Sequence, residues 1–275
     1  MTKLNDKIAI VTGSGRGVGL AVARKLAQEG ASVVVNDIDE AEAEQAVADL
    51  RAQGAKAVAV VGDVCANGFA ERLVNTTLSN FGGIDILVNN AGYGWDRSIQ
   101  NTSDDHFQAM LDIHVVAPFR ILRAASGFIR SAAKDEAQRG LTVHRKVVNV
   151  SSMAICGIPG QAAYASGKAA VVGLTKSLSK EWGRYRVNVN CVAFGLIRTR
   201  LTRVHGAEGP DVTRVGDREF RVGLDEAGLA EMNRRTALGR QGEPEDAAGG
   251  VYLLCTPESD FITGQVLFVS GGASV

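Results

Sequence analysis

Residues 8–19 read Ile-Ala-Ile-Val-Thr-Gly-Ser-Gly-Arg-Gly-Val-Gly, an apolar run that passes directly into a glycine-rich turn. Residues 18–29 follow with the periodicity of a helix. In a strand–turn–helix unit of this kind the backbone can approach phosphate closely, and the helix N-terminus offers unpaired N–H groups. We therefore predict a pyrophosphate site here, made by Gly13, Ser14, Arg16, Gly17, Val18 and Gly19.

Strand-like and helix-like stretches alternate along the rest of the chain. Strands are predicted at residues 7–12, 32–36, 57–61, 85–89, 146–151, 186–192 and 265–269, and helices at 18–29, 40–53, 67–80, 104–131 and 161–182. Strands this rich in Val and Ile indicate a parallel sheet that is buried on both faces. The pattern predicts an α/β fold, a doubly wound and mostly parallel seven-stranded sheet with helices on both faces, as a single domain over residues 1–275. Ligands bind such sheets at the carboxyl ends of the strands.

Composition excludes several functional classes. Thirty basic residues balance thirty acidic ones, so no basic surface predicts nucleic-acid or membrane binding. No apolar stretch approaches the roughly 18 residues that span a bilayer. The four cysteines lie far apart without metal-ligand spacing, so we expect no metal site and a reducing, cytoplasmic location.

A polar segment interrupts the alternation near the C-terminus. Residues 202–224 are rich in Gly, Arg and Asp, and long polar stretches beside an active site are commonly lids. We predict a substrate-side lid over about residues 201–232.

Asp37 follows the second predicted strand, about twenty residues beyond the glycine turn. A carboxylate there would accept hydrogen bonds from the adenosine ribose hydroxyls of a dinucleotide, and it would repel a 2′-phosphate. Arg16 favours the opposite choice, because a guanidinium in the turn could pair with that phosphate. We give Asp37 more weight and predict NAD, with NADP as the alternative.

The third and fourth predicted strands also lead toward the ligand edge. Asp63 and Val64 could contact the adenine, and Asn90, Ala91 and Gly92 let the backbone approach a ligand while the amide ties neighbouring strands. Tyr164 and Lys168 lie four residues apart on a predicted helix, which places a phenol and an ammonium on one face.

In this combination the chain resembles the short-chain dehydrogenase/reductase family over nearly its whole length. The resemblance is carried by the glycine turn, by the serine pair before Tyr164, by Lys168 and by the segments 89–92 and 264–272. Residues 157–164 look most like the 3-oxoacyl-ACP reductases and the hydroxyacyl-CoA dehydrogenases of the family. The resemblance implies a single Rossmann domain, assembled into homodimers or homotetramers.

The resemblance also implies catalytic roles. Tyr164 would be the general acid for ketone reduction and the base for alcohol oxidation, and Lys168 would lower its pKa and bind the nicotinamide ribose. A serine would donate to the substrate oxygen. Ser151 has the spacing to Tyr164 that many members show, but the surrounding strand pattern matches the family with Ser152 in that role. Because neighbouring strand residues point to opposite faces, only one can serve, and we favour Ser152.

Two positions depart from the family pattern. His114 stands where most members carry an Asn that supports a water relay to the lysine, although some hydroxyacyl-CoA dehydrogenases resemble this chain there. It is either a relay residue or a core histidine without a catalytic part. Phe194 replaces a proline in the segment that also contains Ile197 and Thr199, which would contact the nicotinamide carboxamide.

These observations predict an NAD(P)-dependent enzyme that transfers hydride between the nicotinamide and a secondary alcohol or ketone, foremost a 3-oxoacyl thioester. Alternatives are a steroid or polyol dehydrogenase and a non-catalytic, cofactor-sensing protein. Acyl-carrier protein would be a partner if it carries the thioester, and a cluster of arginines near the lid would suit it, namely Arg198, Arg200, Arg203, Arg214, Arg218 and Arg221.

Overall fold

Strands and helices alternate through the computed structural model, which describes residues 2–200, 202, 204, 211–215, 218–223 and 225–273. The strands are β1 Ile8–Val11, β2 Ser32–Val35, β3 Ala57–Ala59, β4 Ile86–Asn89, β5 Arg145–Ser152, β6 Val187–Phe194, β7 Asp211–Val215, β8 Arg218–Val222 and β9 Val266–Val269. The α-helices are α1 Gly17–Gln28, α2 Glu40–Ala52, α3 Phe69–Phe81, α4 Asp104–Leu111, α5 Ala117–Gln138, α6 Ala162–Trp182, α7 Glu226–Arg234 and α8 Pro244–Leu253. Short 3₁₀ turns lie at Ile99–Asn101, Met153–Cys156, Gly183–Tyr185 and Pro257–Ser259.

Seven strands form one sheet in the order β3-β2-β1-β4-β5-β6-β9, and all of its pairings are parallel. This confirms the predicted doubly wound sheet. The strand order reverses between β1 and β4, so the connections after these strands leave toward opposite faces and a crevice opens at their carboxyl ends. The glycine turn after β1 lies at this crevice. β7 and β8 form a separate antiparallel pair.

Each face of the sheet is covered by its own hydrophobic core. Ala9 and Val11 of β1 belong to a core with residues of α1, α2 and α8, whereas Ile10 belongs to a second core with residues of α3, α5 and α6. Successive strand residues therefore meet opposite helical layers. This is why the strands read as nearly continuous runs of Val and Ile.

The prediction of one continuous helix over residues 104–131 was wrong. A π-helical turn, Asp112–Val116, separates α4 from α5. His114 lies at the centre of this turn and is 3% exposed. A π-turn inserts an extra residue into the helical ladder and often marks a functional position. A wide apolar face on both sides hides this change of period from a sequence reading.

The C-terminal third contains elements that the sequence reading did not assign. α8 begins at Pro244 with reciprocal hydrogen bonds between Glu243 and Asp246. The predicted lid over 201–232 contains the β7–β8 hairpin and most of α7, while residues 201, 203, 205–210, 216–217 and 224 lie outside the described residues. Within the described part of the chain, no helix has the length and apolarity needed to span a membrane.

Candidate active site

A cavity of about 380 Å³ opens at the carboxyl edge of the sheet. Its wall is formed by the loops that follow the first six strands of the chain, β1 to β6, together with residues of the π-helical turn and α6. All but one of the predicted site residues line it, namely Gly13, Arg16, Gly17, Val18, Gly19, Asp37, Asp63, Val64, Asn90, Ala91, Gly92, His114, Ser152, Tyr164, Lys168, Ile197 and Thr199. The sheet thus brings together residues that are up to 186 positions apart, from Gly13 to Thr199.

The glycine turn has the shape and polarity that a dinucleotide pyrophosphate requires. A Cβ atom at Gly19 would collide with the carbonyl oxygen of Gly13, so only glycine fits. Arg16 stands at the N-cap of α1 without a side-chain capping bond, and the first turn contains no acidic residue. Because Gly17, Val18 and Gly19 of this first turn line the cavity, the N–H groups of the helix end favour an anion there.

Ser14 is the predicted site residue that the structure does not bring to the cavity. Its side chain is fully buried, donates to the carbonyl oxygen of Val11 at 2.7 Å and accepts from the N–H of Asn36 at 3.3 Å. The hydroxyl thus ties the glycine turn to the end of β2. A serine between two glycines has no sequence signature that distinguishes this inward orientation.

Asp37 lies on the cavity wall beside the glycine turn and is 6% exposed. Its carboxylate accepts from the N–H of Gly15 at 3.0 Å and from the N–H of Asp39 at 3.2 Å. Asp63 and Val64 line the neighbouring wall. They lie in the loop beyond β3, which ends at Ala59, two residues before the end of the predicted strand, and they reach the cavity.

Asn90 fastens the turn after β4 to the glycine turn. Its side-chain amide donates to the carbonyl oxygens of Thr12 at 2.9 Å and Gly13 at 3.0 Å. Gly92 follows, and a Cβ atom there would lie 2.7 Å from Cε1 of His114 and 3.6 Å from Nζ of Lys168. Glycine at this position lets the two side chains converge on one point of the cavity.

Tyr164 and Lys168 stand together on α6. Nζ of Lys168 lies 5.7 Å from the centre of the Tyr164 ring and donates to the carbonyl oxygen of Val150 at 2.9 Å. The hydroxyl of Ser152 lies beside the phenol and lowers its pKa, and its Oγ accepts from the N–H of Ala154 at 3.1 Å.

Ser151 has different partners. Its hydroxyl is buried and donates to the carbonyl oxygen of Lys168 at 2.8 Å. Of the two serines, it is therefore Ser152 whose hydroxyl meets the phenol, in keeping with the opposite orientation of neighbouring strand residues.

Burial has the largest effect on the pKa values of both Tyr164 and Lys168. It raises the pKa of Tyr164 to about 12, and the hydroxyl of Ser152 opposes this only in part. It lowers the pKa of Lys168 to about 8. Desolvation of the phenolate is the largest of the effects on the pKa of Tyr164. The phenol therefore holds its proton at neutral pH.

His114 is neutral and has a defined tautomer. Burial, followed by the charge of Lys168, holds the pKa of its imidazole well below the ordinary value. Nε2 lies 3.0 Å from the carbonyl oxygen of Tyr93 and must carry the hydrogen. Nδ1 is buried and has no hydrogen-bond partner among the described residues. Its lone pair faces the side of Gly92 on which Lys168 also lies.

The loop after β6 closes the remaining wall. Phe194 extends β6 and pairs with Val269, a ladder position at which proline would lack the N–H. The hydroxyl of Thr202 donates to the carbonyl oxygen of Ile197 at 2.5 Å and accepts from the N–H of Thr199 at 3.0 Å.

Sequence reasoning missed several lining residues, including Asn36, Ile38, Tyr93 and Thr202. Asn36 and Ile38 flank Asp37, and that adjacency was a usable signal.

Comparison with known proteins agrees with this geometry. A family model described as Enoyl-(Acyl carrier protein) reductase matches residues 13–274. The chain is 35% identical over 275 residues to a 3-oxoacyl-(acyl-carrier-protein) reductase of Synechocystis sp., covering 99% of this chain and 98% of that protein. It is 33% identical over 272 residues to BbsD, a subunit of a hydroxy(phenyl)methylsuccinyl-CoA dehydrogenase of Thauera aromatica, with 99% and 98% covered.

A solved structure extends the comparison to the cofactor. The gluconate 5-dehydrogenase of Burkholderia cenocepacia, crystallised with NADP and tartrate, has a TM-score of 0.83 and 31% identity, with 98% of this chain and 96% of that chain covered. The parallel sheet, the glycine turn and the cavity match an enzyme that uses NAD(P) to act on CH–OH groups. Among the described residues, no cluster of three or more His, Cys, Asp or Glu side chains could hold a metal ion. The chain belongs to the short-chain dehydrogenase/reductase family of NAD(P)-dependent oxidoreductases.

Proposed function

We propose that this enzyme interconverts a 3-oxoacyl thioester and the corresponding 3-hydroxyacyl thioester with NAD(H). The observation that carries the reaction type is the placement of Ser152, Tyr164 and the ammonium of Lys168 together on the wall of one cavity. The substrate class is supported by two relatives whose names refer to an acyl-carrier-protein thioester and a CoA thioester.

Ser152 and Tyr164 would bind the substrate carbonyl oxygen together. A bound nicotinamide would supply the hydride for reduction of the carbonyl carbon and would take it up in oxidation. In reduction the phenol of Tyr164 gives its proton to the carbonyl oxygen, which becomes the alcohol oxygen. The hydroxyl of Ser152, which lowers the pKa of the phenol in this structure, would donate its hydrogen to the same substrate oxygen.

Lys168 would support the phenolate that remains after this transfer. Its pKa of about 8 means that it is mostly charged at neutral pH, and its ammonium lies on the same helical face as the phenol. We assign His114 as a positioning residue, because the lone pair on Nδ1 can accept a hydrogen bond in a relay that leads through Lys168 to the phenol. A core histidine without such a part is the alternative.

Asp37 supports NAD as the preferred cofactor. It is a buried carboxylate on the cavity wall, where the adenosine ribose of a dinucleotide would lie. The carboxylate would accept from the ribose hydroxyls and repel a 2′-phosphate. The related solved structure contains NADP, so NADP remains the alternative cofactor to be tested.

The test measures oxidation of NADH by the purified protein. Acetoacetyl-CoA serves as the ketone substrate, and crotonyl-CoA is the matched thioester that lacks the keto group. We expect turnover with acetoacetyl-CoA, and little with crotonyl-CoA. Turnover with crotonyl-CoA alone would replace ketone reduction by enoyl reduction, the activity named by the family model. Comparing acetoacetyl-CoA with an acetoacetyl-acyl-carrier protein then tests the acyl carrier as partner.

A polyol is the second candidate substrate, favoured by the gluconate 5-dehydrogenase relative. Reduction of NAD⁺ or NADP⁺ with gluconate, without activity on acetoacetyl-CoA, would select it. Binding of NADH without turnover of any thioester, steroid or polyol would instead favour the cofactor-sensing alternative.

A further inference from the structure

Arg16 is a cation of the glycine turn, and two carboxylates of the α2 segment engage it. Its Nη1 lies 3.4 Å from Oε1 of Glu42 and 3.6 Å from Oδ2 of Asp39. Arg16 lines the cavity beside Asp37, whereas neither Asp39 nor Glu42 is among the described lining residues. The two acids therefore hold the guanidinium on its outer side.

This contact matters because a guanidinium is the side chain best suited to a phosphate monoester. It offers several donors in a planar fork and keeps its charge at all physiological pH values. A 2′-phosphate on the adenosine ribose would need that fork. In this protein it would have to displace two carboxylates from Arg16 and also lie beside the carboxylate of Asp37.

The acidic groups are fixed to the glycine turn by contacts other than the ion pairs. The Asp39 side chain accepts from the N–H of Glu42 at 3.5 Å at the start of α2, and its own N–H donates to Asp37 at 3.2 Å. A Cβ atom at Gly15 would lie 2.9 Å from Cβ of Glu42, so α2 packs directly on the turn. The acids need no rearrangement to reach Arg16.

We propose that Asp39 and Glu42 are positioning residues that set the preference for NAD over NADP by retaining Arg16. The proposal rests on the placement of the ribose beside Asp37 given under the proposed function. It adds a second determinant to Asp37: one carboxylate repels the 2′-phosphate, and two others occupy the cation that would bind it.

The test is the double variant Asp39→Asn and Glu42→Gln, which removes both charges while keeping size and a capping oxygen at position 39. Binding of NADH and NADPH is measured by fluorescence titration at low and high salt. Because partly exposed ion pairs are weak, we expect the Kd for NADPH to fall by no more than roughly five- to tenfold. The Kd for NADH should stay within about twofold, since each partially exposed pair has a small net effect. The NADPH gain should shrink at high salt.

Two controls separate this mechanism from a general loss of negative charge. Glu40→Gln with Glu44→Gln removes two exposed acids of the same helix that do not form the ion pairs with Arg16, and it should leave both Kd values nearly unchanged. Adding Arg16→Ala to the first double variant should abolish its gain for NADPH.

An unchanged Kd for NADPH in the Asp39/Glu42 variant, or an equal gain in the Glu40/Glu44 variant, would overturn the proposal. So would a gain that survives Arg16→Ala. The titration needs no substrate, so its failure is distinct from a failure of the thioester assignment. Unchanged NADH binding reports that the variants are folded.

Discussion

The imidazole of His114 stands edge-on to the phenol of Tyr164, with ring centres 5.1 Å apart and ring planes at 85°. This contact links the π-helical turn Asp112–Val116 to α6, which carries the proton donor. The backbone carbonyl of Tyr93 fixes the other side of the imidazole at 3.0 Å. The histidine is thereby placed both to pack against Tyr164 and to present Nδ1 toward Lys168.

Replacing His114 separates packing from hydrogen bonding. We expect His114→Asn to keep kcat within about tenfold of the wild type, since an amide can still accept and donate. His114→Leu should lower kcat roughly 100-fold, because it fills the space without any acceptor for the relay. Steady-state kinetics and thermal unfolding of both variants provide the measurement. Full activity of a folded His114→Leu protein would make His114 a core residue only.

The two serines provide a matched pair. Ser152→Ala removes the hydroxyl beside the phenol, and we expect kcat to fall roughly 100- to 1,000-fold while cofactor affinity changes little. Ser151→Ala removes a buried bond to the Lys168 carbonyl and should instead lower the free energy of unfolding by about 1 kcal/mol, with a smaller effect on kcat. The reverse pattern of kcat losses would assign the substrate contact to Ser151.

Burial of Lys168 predicts a particular pH dependence of stability. Its pKa is about 8 in the folded protein against 10.5 ordinarily, so between these values the unfolded chain binds a proton that the folded chain has released. The penalty of burying the ammonium is fully present below about pH 8 and is relieved as pH rises. Tyr164 has the opposite effect on stability, but only above pH 10.0, the ordinary pKa of a tyrosine. Above that pH the unfolded chain loses the phenol proton before the folded chain does.

Comparison with Lys168→Met isolates this contribution in denaturant unfolding without added cofactor. We expect the wild type to gain about 1 to 2 kcal/mol of unfolding free energy relative to the variant between about pH 8 and pH 10. Other titrating groups cancel in the difference. A difference that is flat or falls over this interval would show that Lys168 is not buried as an ammonium.

Much of the sheet could be predicted because each of its strands is a short apolar run with a turn signal at its end. Among the predicted elements other than the helix over 104–131, the bounds differ from the observed ones by at most two residues. α8 escaped prediction because Gly249 and Gly250 weaken its helical pattern. Glycine at position 250 is explained by tertiary packing, because a Cβ atom there would collide with Val269 of β9.

The site was predictable where short motifs fix the backbone. It was less predictable where burial decides the orientation or the pKa of a side chain. The glycine turn, Asp37, Gly92, Tyr164 and Lys168 all reach one cavity, as their spacing and order along the chain indicate. The inward orientation of Ser14 and the raised pKa of Tyr164 depend on which neighbours surround each atom. The π-turn around His114 likewise lies in close contact with α6, where a Cβ atom at Gly167 would lie 3.1 Å from Cβ of His114, and no local pattern encodes this contact.

The most direct test of the account is single-turnover reduction of acetoacetyl-CoA by Tyr164→Phe with bound NADH. Phenylalanine keeps the ring that packs on His114 and removes only the hydroxyl that donates the proton. We predict that the variant binds NADH with nearly the wild-type Kd and reduces the ketone at least about 100-fold more slowly. Reduction at the wild-type rate would contradict the assignment of Tyr164 as the proton donor and, with it, the proposed mechanism.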